Sequence, residues 1–219
     1  MSVVLFLICN LKVRGCFYFW CYNSPIMLPE YFAYFTIILG LVGVFFYIKD
    51  TFLGKTQPNR VTWIFWTIAP FVGVYVSYQA GVSMPLLIST FMAGFGPLLV
   101  VIASFFNKHS YWKITKFDIA CGTLSAVAII VWVTTKNGVL SLTFAILADF
   151  FAGLPTIIKS WKHSDTESIG PYLAGNFNSV ITFLIITDFS FLNLAFPIYF
   201  LIANTVIVLG IKKKYLFKI

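Results

Sequence analysis

Seven apolar runs, each about as long as a membrane-crossing helix, dominate this 219-residue sequence. A helix needs about 20 mostly apolar residues to cross a hydrocarbon core of roughly 30 Å. The runs fall near 31–49, 61–80, 84–106, 117–135, 139–160, 171–188 and 191–211. Hydrophobic residues make up 60% of the chain and charged residues only 10%, against about 25% charged in an ordinary soluble domain. Water could not solvate that surface. The fold class that follows is an all-α membrane protein of seven transmembrane helices. The seven runs and their short links leave no length for a separate soluble domain.

Residues 1–26 read differently. Val3 to Cys9 is apolar but too short to span, and Lys12 and Arg14 follow it, the reverse of a signal-peptide order. Either Met27 is the natural start, or residues 1–26 are a loosely ordered extension of the membrane domain at 27–219.

The net charge of +8 invites a nucleic-acid reading, but the bases sit in short links between apolar runs, where the positive-inside rule places them. Lys49, Lys55 and Arg60 flank the first link and Lys108, Lys113 and Lys116 the third. Lys159 and Lys162 flank the fifth, and Lys212, Lys213, Lys214 and Lys218 lie in a basic tail, 212–219. Lys136, with Lys12 and Arg14, is left for the other side. The basic side is therefore expected to be cytoplasmic in a cell membrane, with the N-terminus outside and the C-terminus inside. An odd number of spans satisfies this.

The runs also repeat. Runs one to three and five to seven share one layout: a helix, a basic link, a helix, a tight turn and a third helix. The copies are offset so that Tyr47 falls on Pro155 and Val61 on Ile169. With one helix between them, both copies point the same way across the membrane. This is a parallel repeat, in which a ligand path runs between the halves. The expected units are a first three-helix bundle at 31–106, a linker helix at 117–135 and a second bundle at 139–211.

Leu154-Pro155-Thr156-Ile157-Ile158-Lys159-Ser160-Trp161-Lys162, followed by Asp165-Thr166-Glu167-Ser168-Ile169, resembles a PQ-loop. In that family a helix ends in Leu-Pro-Gln, a basic stretch follows, and Ser/Thr-Thr-Glu-Ser opens the next helix. The three-one-three layout is similar to that of SWEET sugar transporters and their PQ-loop relatives, over roughly 31–219. Thr156 stands in place of the family's Gln, and Tyr47 in place of the first copy's Pro. The resemblance implies a small-molecule transporter or facilitator, with a sugar or an amino acid as substrate. A non-transporting receptor or scaffold on the same fold is the alternative. It also implies a hinge at Pro155 and a pocket amide at Asn204. The matching position of the first copy holds Gly96, which would leave room for a bulkier ligand.

Four polar residues inside apolar runs are the candidate substrate contacts: Asp149, Asn176, Asn178 and Asn204. An acid at membrane depth faces a polar cavity or a partner, so Asp149 either serves a ligand or proton or joins two helices. The amides either line a pocket or hydrogen-bond a neighbouring helix. Pro70, Pro97 and Pro197 are static kinks or hinges. The tryptophans near run ends are interfacial anchors. Cys9, Cys16, Cys21 and Cys121 fit no metal spacing, and the only histidines are His109 and His163. No metal site, cofactor or catalytic constellation is expected, and the chain does not read as an enzyme. The expected partners are membrane lipids, a small-molecule substrate and further copies of the chain in a homo-oligomer, with no nucleic acid.

Overall fold

The computed structural model describes residues 32–79, 84–106, 112–186 and 189–216. The expected extension 1–26 lies outside these residues. Among the described residues there are seven α-helices: α1 (Phe32–Phe52), α2 (Arg60–Gln79), α3 (Met84–Phe106), α4 (Lys116–Thr134), α5 (Gly138–Lys162), α6 (Gly170–Ile185) and α7 (Phe191–Leu216). A single 3-10 turn, Ser164–Thr166, joins α5 to α6. Each helix matches one apolar run. The largest departure is α7, which continues to Leu216 and takes Lys212, Lys213 and Lys214 out of the expected tail and into the helix. Lysine is a good helix former, and positive charge at a C-terminus complements the helix dipole.

Four helices carry a stretch long and apolar enough to cross a membrane: Tyr34–Phe52, Lys116–Thr134, Gly138–Lys162 and Phe191–Lys213. Arg60–Val76 and Thr90–Phe106 are shorter apolar stretches. The outer surface agrees with a membrane protein. Phe45, Phe105, Ile130 and Ile202 are 63%, 60%, 63% and 58% exposed, and large apolar side chains recur around the bundle. A soluble monomer does not present such a surface to water.

The helix ends are set by local chemistry. α1 stops at Gly54, whose φ of 72° reverses the chain while Leu53 N–H and Gly54 N–H bond the carbonyls of Lys49 and Thr51. Asn59 caps α2, its Oδ1 accepting from the N–H groups of Val61 and Thr62 at 3.1 and 3.4 Å. Thr115 and Asp118 form a reciprocal capping box at the start of α4. Asp118 also accepts from Asn59 Nδ2 at 2.8 Å, which ties the starts of α2 and α4 together.

Packing follows a repeated pattern. α3 packs on both α1 and α2, and α7 packs on both α5 and α6. Across the middle, α1 meets α6 and α2 meets α5, while α4 lies against α2 and α5. The α1–α6 contact is very close. A Cβ on Gly43 would lie 2.8 Å from the Gly170 carbonyl oxygen, and one on Gly170 would lie 2.9 Å from that of Gly43. Only paired glycines let the two backbones touch.

One end of the bundle gathers the basic links. Gln57 N–H bonds the Thr166 carbonyl at 2.9 Å, and Trp112 N–H bonds that of Pro58 at 3.2 Å. Lys213 donates to the Trp161 carbonyl. The α1–α2 and α5–α6 links, the start of α4 and the end of α7 therefore share a face, called the basic end below.

Candidate functional site: a central cavity and a buried polar knot

A cavity of about 240 Å³ lies at the centre of the bundle, and all seven helices contribute to its wall. Drug-sized ligands occupy roughly 300–1,000 Å³, so this space suits a compact molecule. Its wall is mostly Ala, Gly, Pro and aromatic rings. Asp149 from α5, Asn178 from α6 and Asn204 from α7 are among its polar members. These are three of the four expected contacts, brought from three helices to one space.

Asp149 lies near mid-length of α5 and is half-buried. Tyr199 of α7 donates its hydroxyl to Asp149 Oδ2 at 2.7 Å. Asn204 is 5% exposed, and its Nδ2 donates to the Phe200 carbonyl one turn earlier at 2.8 Å. Gly175 makes room for it, since a Cβ there would lie 2.7 Å from Asn204 Nδ2. Gly96 also lines the cavity, and a Cβ there would lie 3.1 Å from Val44 Cγ2. Asn178 accepts from the Thr182 hydroxyl through its backbone carbonyl at 2.8 Å.

Asn176 is not on the cavity wall. It sits two residues from Asn178, about 200° around the helix, and so faces the other way. Its Oδ1 is buried with no hydrogen-bond partner among the described residues. Pro155 is inside α5 and buried, also away from the wall.

Towards the basic end the cavity meets an aromatic layer. Trp63, Trp66 and Tyr172 line the cavity, and behind them stands Tyr47, with no exposed surface. Neighbouring rings in the sequence Tyr47, Trp63, Trp66, Tyr172 have centroids 4.8, 5.3 and 6.5 Å apart. Such tilted and edge-on pairs pack densely and exclude water.

Beyond this layer lies a buried polar knot centred on Glu167. Lys159 Nζ meets Glu167 Oε1 at 2.7 Å, with both side chains essentially inaccessible. The Tyr47 and Tyr172 hydroxyls both donate to Glu167 Oε2, at 3.0 and 3.1 Å. Lys159 also donates to the carbonyls of Gln57 and Thr166 and sits 5.3 Å from the Trp112 ring. One carboxylate thus collects donors from α1, α5 and α6, and its lysine reaches the α1–α2 link. Nearby, Thr156 donates to Thr62 at 3.0 Å across the α5–α2 contact, and Ser168 donates to Asp50 at 2.7 Å.

This knot corrects the sequence reading of Lys159 as a link charge. It lies inside α5, which runs to Lys162, and is 2% exposed. In the sequence Lys159 reads as a link charge and a letter of the PQ-loop-like stretch, and Glu167 as a letter of that stretch alone. The available signal was that a lysine inside an apolar helix, eight residues before an acid, has few other ways to keep its charge.

Comparison with protein-family models, curated proteins and solved structures returns no match for this chain.

Proposed function

We propose that the protein is a small-molecule carrier of the PQ-loop and SWEET type, with the central cavity as its substrate site. The observation that carries this is the pairing of cavity and latch. A compact, mostly apolar cavity holds three polar side chains from α5, α6 and α7, and a buried knot at one end joins both halves of the chain. A site closed from one side by breakable polar contacts is what alternating access requires.

The repeat supports the same reading. Exchanging α1, α2 and α3 for α5, α6 and α7 turns the α1–α6 contact into the α5–α2 contact and maps each three-helix group onto the other. In this reading two parallel bundles, joined by α4 as linker, make seven spans. In the same reading the basic end faces the cytoplasm, which the excess of Lys and Arg there supports. The chain sits among membrane lipids in the cell membrane, alone or as a homo-oligomer. Pro155 lies between Asp149 on the cavity and Lys159 in the latch. It removes a backbone donor from α5 where bending would move one relative to the other. Pro155 is the hinge.

Flux through proteoliposomes tests the function. A carrier exchanges ligand across the bilayer, whereas a receptor or scaffold on the same fold binds ligand and moves none.

A further inference from the structure

The surroundings of Asp149 narrow the substrate class, an inference that rests on the carrier reading. Ala145, Asp149 and Gly153 lie four residues apart on one face of α5, about 6 Å per step. Ala145 packs with Trp132, and a Cβ on Gly153 would touch Trp66 Cζ2 at 3.1 Å. The positions one turn before and one turn after Asp149 therefore each meet an indole, and both indoles line the cavity with Asp149. On the α7 side, Tyr199 holds Oδ2, its ring lies 6.0 Å from Phe196, and Phe196 stacks on Phe200. Among the described lining residues there is no Lys, Arg or His. Two bases on the helices that carry Asp149 and Trp66 are engaged elsewhere, Lys159 with Glu167 and Arg60 with Ser104 and the Phe105 ring.

A carboxylate in an apolar enclosure without a cation of its own favours a ligand that brings one. Indole and phenyl faces attract an ammonium and cover an apolar body equally well. A sugar instead needs many directional polar partners, and most of this wall offers none. We propose that the cavity binds an organic cation, an ammonium group on a compact apolar or aromatic body. Its head rests on Asp149 between Trp66 and Trp132, and its body lies against Phe196 and Phe200.

The test uses the full chain in lipid nanodiscs with matched probes. Choline is compared with its neutral carbon isostere, and phenethylammonium with phenethyl alcohol; glucose is the third class. Calorimetric titration and thermal shift are read on wild type, Asp149→Asn and Asp149→Glu. Asparagine keeps an oxygen for the Tyr199 hydroxyl, and an unchanged ligand-free melting temperature checks the fold. The expected result is that an ammonium probe binds at least about 30-fold tighter than its isostere. Asp149→Asn should erase that preference and Asp149→Glu should keep part of it. Equal binding of probe and isostere, ammonium binding retained in Asp149→Asn, or preference for glucose would each overturn the cation proposal and leave the carrier reading standing. If no probe binds wild type, the cation proposal falls, and flux through proteoliposomes alone decides the carrier reading.

Discussion

Replacing Glu167 with alanine should be the most damaging single change in the latch. The pair it belongs to is inaccessible to solvent, and Glu167 accepts from Lys159, Tyr47 and Tyr172 at once. Alanine leaves a buried ammonium without its counter-charge and two buried hydroxyls without an acceptor. Lys159 keeps the carbonyls of Gln57 and Thr166, which softens the loss without neutralising the charge. Breaking a buried pair by removing one partner costs about 3–5 kcal/mol. Glu167→Gln strands the same charge but keeps a carbonyl acceptor, and should fall at the lower end of that range, about 3 kcal/mol. Asp165, exposed in the same link, is the control, and Asp165→Ala should stay within about 0.5 kcal/mol of wild type. Adding Lys159→Met to Glu167→Ala should recover part of the loss, because it removes the stranded charge. Unfolding by denaturing detergent in mixed micelles, followed by tryptophan fluorescence, gives the ordering. The reasoning fails if Glu167→Ala matches Asp165→Ala, or if the double variant is less stable than the single one by the full cost of a second lost partner.

Three further outcomes follow from the same geometry. Thr156→Gln, which restores the family's letter, should destabilise by about 1–3 kcal/mol on the same unfolding assay, because Thr156 has no exposed surface and bonds Thr62. Gly175→Ala should weaken probe binding in calorimetry, because its Cβ would meet Asn204 Nδ2 at 2.7 Å and the Phe200 ring at 3.0 Å and displace both on the cavity wall. Choline uptake by proteoliposomes should fall as pH is lowered and the Asp149 carboxylate takes up a proton, since a neutral acid no longer attracts the cation. Asp149→Asn should give a low, flat profile over the same range.

Much of this architecture was legible because lipid imposes a simple rule on sequence. Apolar runs of span length must be helices, so α1 to α7 could be counted and placed before any contact was known. Asp149, Asn178 and Asn204 stood out because each is polar where its run is not. Asn176 stood out for the same reason and belongs elsewhere, since apolar context identifies a polar residue without fixing which face it occupies. The latch was not legible. Lys159 and Glu167 lie near the ends of apolar runs, where charges ordinarily mark the membrane boundary, and their partners come from α1, α6 and the α1–α2 link. Tyr47 read as a missing proline, and its role depends on Glu167, 120 residues away. The Gly43–Gly170 contact has the same character: two unremarkable glycines whose meaning is a backbone approach between distant helices.

The central claim is that the cavity opens to each side of the membrane in turn. Counterflow tests it most directly. Proteoliposomes loaded with unlabelled choline, or in parallel with glucose, are diluted into trace labelled ligand of the same kind. The account predicts transient accumulation of labelled choline above its external concentration, strongly reduced in Asp149→Asn. Binding of a probe to the purified protein with no counterflow of either solute would contradict it and make the cavity a receptor site.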